Sequence, residues 1–175
     1  MTTHINSIDF RSTPLRIVCI MNTNAVMELM SFSKTEFMDA LTAFDYIEVM
    51  YGSVLVACQM YAVGTVSDVN KIRKYSELPK LKKINLYRNA PYKPCEYTEV
   101  EFINALANYF KHSTEWDIWP INETTKTLRA YGINENTEFP LRFGVELLLN
   151  DSEDLRGLCA ILEGWRFHQI KDWCK

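Results

Sequence analysis

Glycine is scarce in this chain of 175 residues: there are six. No Gly-x-Gly-x-x-Gly or Walker-type run forms among them, which excludes a phosphate-cradling loop of either kind. Histidine is scarcer still, and His4, His112 and His168 lie far apart. Neither a Cys-x-x-Cys nor a His-Glu-x-x-His pattern occurs, so no metal and no other cofactor is expected. A Gly-x-Ser-x-Gly elbow is missing as well, which removes the commonest serine-nucleophile signature.

The opening segment lacks the basic and apolar regions of a secretory signal, and export by that route is not expected. The most apolar window, Tyr46 to Val66, is interrupted by Glu48, Gly52-Ser53 and Gln59. A bilayer span wants about 20 uninterrupted apolar residues, so the window reads as two buried strands. The five cysteines are odd in number, widely spaced and mostly in apolar surroundings. That is the usage of a reducing compartment, where cysteine serves as a small hydrophobe.

What the chain does have is enough apolar material, 47% of residues, to bury one core without staples. Neither repeats nor a Gly/Ser linker suggest a second domain. The expected organisation is a loose polar arm over residues 1–14 and one globular domain over 15–175.

Apolar and β-branched runs at Leu15 to Met21, Ala25 to Met30, Ser53 to Val63, Thr127 to Ile133 and Leu141 to Leu149 predict strands. Ser33-Lys34-Thr35-Glu36 has the form of a capping box, flanked by Phe32 and Phe37 as a hydrophobic staple. It predicts a helix from Lys34 to Asp45 with Phe37, Ala40, Leu41 and Phe44 inward. Thr98-Glu99-Val100-Glu101, flanked by Tyr97 and Phe102, predicts a second helix through Phe110, with Phe102, Ile103, Leu106 and Tyr109 inward. A third is expected from Asp151 or Ser152, led by Glu153 and Asp154, buried through Leu155, Leu158 and Leu162, and stopped at Gly164. Strands and helices do not alternate. The expected class is α+β, an antiparallel or mixed sheet with about three helices packed on it.

Candidates for chemistry are few. Glu99/Glu101 and Asp151/Glu153/Asp154 are able to share acid and base roles, but helix capping and the helix dipole account for acids at those places. Cys159 sits on the apolar stripe of the third helix and reads as core. No catalytic residue is assigned.

Charge is the feature that stands out. Lys71, Arg73, Lys74, Lys80, Lys82, Lys83, Arg88 and Lys93 face a single acid, Glu77, so this window carries +7 in a chain of net charge −3. Tyr75, Tyr87 and Tyr92 interleave with the bases, and Pro79, Pro91 and Pro94 mark loops. Such a strip attracts an anionic surface, either a phosphate backbone or acidic lipid. Alternatively it is a solvated loop, or it meets the acidic body of another copy. Trp116, Ile118 and Trp119 fall in a predicted loop, where tryptophans favour contact with a membrane or a partner unless they fold back on the core.

The order of motifs resembles that of the rhabdovirus matrix proteins. The residues concerned are Ser33-Lys34, Ala40-Leu41 and Phe44-Asp45 in a helix, Met50-Tyr51-Gly52 at a turn, and Ser53 to Val63 as a strand. Near the other end, Phe143 to Leu147 is similar to a last strand and Asp151 to Leu155 to an acid-capped helix. The chain lacks the long basic N-terminal tail and Pro-rich budding motif of better-known members, which points the resemblance toward a short, plant-infecting branch. It implies a non-enzymatic protein of the virion and the host-cell interior. That protein would self-associate, condense the viral nucleoprotein–RNA complex and link it to an acidic membrane surface, with host proteins as further partners.

Two other classes fit the composition. One is a small cytosolic protein that neutralises a single partner, as a bacterial toxin-immunity protein does. The other is a small enzyme whose pocket the sequence does not reveal.

Overall fold

The computed structural model describes residues 8–35 and 38–173. It contains seven α-helices in that range: α1 (Ser12–Phe32), α2 (Ala40–Tyr75), α3 (Lys83–Arg88), α4 (Glu99–His112), α5 (Glu123–Ala130), α6 (Pro140–Leu149) and α7 (Arg156–Trp173). Among the described residues there is no β-strand, so the expectation of an α+β fold with a sheet is overturned. All five predicted strands are helical: two lie in α1, one in α2, one mostly in α5 and one in α6.

The reason is physical. A short apolar run is compatible with a strand buried on both faces and with a helix apolar all round, and periodicity alone does not separate them. Both α1 and α2 carry apolar residues on their inner and outer sides, which erased the helical period from the sequence. Thr127, counted toward a strand, instead donates its hydroxyl to the carbonyl of Glu123 one turn back.

The 36-residue α2 is the mast of the fold and touches α1, α3, α4, α6 and α7. It starts at Ala40, where Asp39 caps it by accepting the Thr42 N–H at 2.9 Å. The predicted start at Lys34 and end at Asp45 are therefore both corrected. Ser33 closes α1, its hydroxyl donating to Met30 O, while Glu36 and Phe37 lie outside the described residues. Met50-Tyr51-Gly52 is mid-helix, and Phe143 to Leu147 lies in α6. The strand-and-turn order behind the matrix-protein resemblance is thus absent from the described residues.

The second prediction fares differently. Thr98 and Glu101 form a complete capping box at the head of α4. Thr98 also donates to Tyr87 O at 2.8 Å, and Phe102, Ile103 and Leu106 are fully buried. The third helix, α7, begins at Arg156 and runs through Gly164 to Trp173. Asn150 and Asp151 take left-handed backbone angles ahead of it.

Residues 8–11 are held against the bundle. Asp9 accepts a hydrogen bond from the Tyr61 hydroxyl, and Arg11 pairs with Asp68 on α2. Three cysteines meet in the core where α1, α2 and α7 converge. The sulfurs of Cys19 and Cys159 are 3.4 Å apart, and all three, with Cys58, are buried.

Candidate functional site

The basic strip divides once folded. Arg73 is buried: its guanidinium donates to Pro79 O at 2.8 Å and Trp173 O at 2.7 Å, and lies over the Trp173 ring. It is a brace joining the end of α2, the following loop and the last turn of α7. Arg88 pairs with the buried Glu101 at 3.2 Å. Lys71 and Lys74 are exposed on the last turns of α2, and Lys93 is exposed in the loop before α4.

Lys80, Lys82 and Lys83 come together. Past α2, Glu77 adopts a left-handed φ of 57° and the Leu78 N–H returns to Arg73 O at 2.8 Å. That reversal lays the next residues back along the helix. Asn70 then clips them in place, its side chain accepting from Leu81 N at 2.8 Å and donating to Leu81 O at 3.1 Å. The three lysines, with Val66, Asn70 and Leu81, line a groove of about 490 Å³. The Lys83 ammonium sits 5.2 Å over the Tyr87 ring. Among the described residues, Lys71, Lys74, Lys80, Lys82, Lys83 and Lys93 form no ion pair. Three like charges around one concavity repel one another, and a bound anion relieves that repulsion. Asn70 gave no signal in the sequence, because a single asparagine within a helix predicts nothing about a loop 11 residues on.

The tryptophans turn inward. Trp116, Trp119 and Tyr109 of α4 form a three-ring cluster with centroids 5.6 to 5.7 Å apart, and both indoles are half-buried. Ile118 stays 83% exposed and is joined by Ile121 at 85%, which the sequence reading did not single out. Of the three expected contact residues, Ile118 alone projects strongly.

The remaining candidates have structural partners. Glu101 caps α4, and burial raises the carboxyl of Glu99. Asp154 accepts from Arg156, which lowers its carboxyl. The Cys159 thiol is pushed up by the neighbouring Cys19 thiol and by burial, the opposite of an activated nucleophile. His112 meets Glu115 and His168 meets Asp172, while His4 lies outside the described residues. Among the described residues no three His, Cys, Asp or Glu side chains gather as a metal site. No family model, curated protein or solved structure matches the chain.

Proposed function

We propose that this protein is an assembly protein that gathers a phosphate-bearing polymer or surface through the groove of Lys80, Lys82 and Lys83, and that it has no catalytic role. The observation that carries the reading is a concavity lined by three lysines that form no ion pair among the described residues, held in shape by Asn70 and Arg73. Lysine is a flexible point charge suited to phosphates presented in many geometries, in contrast to the fixed fork of arginine. The acidic remainder of the chain confines attraction to one side and so orients the bound partner. RNA, with its closely spaced backbone phosphates, fits the groove as ligand, with acidic lipid as the second anionic surface.

Fluorescence anisotropy with a single-stranded oligoribonucleotide, beside flotation with phosphatidylserine vesicles, tests this. With three phosphates neutralised, one for each groove lysine, RNA affinity falls roughly 20-fold between about 50 and 200 mM salt. K80E/K82E/K83E abolishes binding without unfolding the protein. RNA and vesicle affinities unchanged in that variant sink the reading.

A further inference from the structure

The longest helix carries a second surface. From Val49 to Ser67, 19 consecutive residues of α2 hold no charged side chain. One half of that stretch faces the core. The other half presents Val49, Ser53, Val56, Met60, Val63 and Ser67, continuing a line begun by Tyr46 one turn earlier, all spaced three and four residues apart, the heptad spacing of helices that pair along a seam. Tyr46, Val49, Met60 and Val63 are each 42% to 64% exposed. Beside them, Phe10, Pro14 and Val18 line with Ala57 and Met60 an apolar depression of about 410 Å³ between α1 and α2.

From this stripe we infer that α2 pairs with α2 of a second copy of the chain, antiparallel, about a twofold axis near Met60. The inference rests on the assembly reading above and names what the copies do to one another. Three observations select this occupant. At no more than roughly 200 Å² per fully exposed large side chain, the four stripe residues with Phe10 offer roughly 500 Å² of apolar surface, the greater part of the ~800 Å² each partner gives a stable interface. A stripe repeating every seven residues fits another such stripe, and a twofold axis makes the two self-complementary.

The third is charge. On the same outer side, exposed Asp45 precedes the stripe and exposed Lys71 and Lys74 follow it, and none of the three is in an ion pair among the described residues. Antiparallel pairing sets each Asp45 beside Lys71 and Lys74 of the other copy. Parallel pairing would set like against like.

A lipid occupant is disfavoured. The helix is long and apolar enough to cross a bilayer, yet half of its most apolar window is buried within the protein. There Gln59 hydrogen-bonds Asn104, Asn108 and Lys111 of α4, and hydrocarbon cannot replace those partners.

Sedimentation equilibrium of the whole protein from about 1 to about 100 µM is the test, with Lys80, Lys82 and Lys83 left intact. The expected mass is twice 20.4 kDa. V56K/M60K returns it to one chain with unchanged far-ultraviolet circular dichroism and unchanged RNA affinity per chain, so failure of the dimer and failure of the groove are read separately. D45K weakens association about tenfold, and D45K/K71D/K74D restores it within about threefold. A single-chain mass at every concentration overturns the inference, as does a dimer indifferent to V56K/M60K or a charge exchange that restores nothing. Binding of monomeric protein to phosphatidylcholine vesicles, lost in V56K/M60K, would assign the stripe to lipid and overturn it too.

Discussion

Arg166 on α7 and Asp68 on α2 meet at 2.9 Å with side chains only 3% and 5% exposed. Around them Arg166 also reaches Asp9 at 3.7 Å and Ile8 O at 3.1 Å, and Asp68 accepts from Arg11. This charged knot ties the chain ahead of α1 to α2 and α7. Nothing in the sequence pointed to it, because its members are spread over residues 9 to 166.

Removing Arg166 leaves buried Asp68 with Arg11 as its ion-pair partner, and removing Asp68 leaves Arg166 with Asp9 at 3.7 Å, so breaking the pair costs up to about 3–5 kcal/mol. R166M is therefore expected to be strongly destabilising in guanidinium unfolding. R166M/D68L is expected to recover part of the loss, since two apolar groups need no partner. A double variant as unstable as the sum of the singles would show that the two residues do not act on each other.

Two of the helical glycines, Gly144 in α6 and Gly164 in α7, should respond in opposite directions. A Cβ at Gly144 would stand 2.7 Å from two side-chain atoms of Leu106, which is fully buried and cannot yield. G144A is expected to cost about 1–3 kcal/mol through overpacking of α6 on α4. Gly164 meets nothing within 4 Å, and G164A is expected to stabilise α7 by about 0.5–1 kcal/mol. Thermal unfolding of the two variants separates the cases.

Glu163 joins α7 to α1 by accepting from Arg16 at 2.8 and 2.6 Å, with Ser12 as a further donor. The Arg16 hydrogen bond lowers its carboxyl below the ordinary 4.5. The unfolded chain then takes up the proton first on acidification, so the contribution is full at neutral pH and is lost as pH falls through the lowered value. The pair is partly exposed, and E163Q is expected to cost about 0.5–1 kcal/mol at neutral pH. In strong acid the two proteins should unfold alike; a difference that persists there would place the effect in packing.

Arg73 and the three groove lysines, though neighbours in sequence, should separate by assay. R73A is expected to lower stability by about 2–4 kcal/mol, because the carbonyls of Pro79 and Trp173 lose a charged, buried donor. K80A/K82A/K83A should leave the unfolding midpoint within about 0.5 kcal/mol and weaken RNA binding. Equal losses of stability in both would mean the lysines are part of the fold.

The sequence by itself determined what is written locally. Thr98 and Glu101 set the start of α4, because a capping box needs only four adjacent residues and satisfies its own backbone donors. Leu158 and Leu162 set the inner face of α7 by their spacing, although the helix starts at Arg156 and not at Asp151 or Ser152. The concentration of eight bases between Lys71 and Lys93 was likewise visible in composition. The tertiary structure alone decided three things. It made the apolar runs helical, because uncharged stretches such as Val49 to Ser67 are apolar on their inner and outer sides alike and take their form from the neighbours that bury them. It set the bounds of α2, whose end at Tyr75 and reversal at Glu77 rest on Arg73 reaching Pro79 and Trp173. It also split the bases into brace, ion pair and groove, since whether a charge is held or offered to a ligand depends on contacts between segments far apart in the chain.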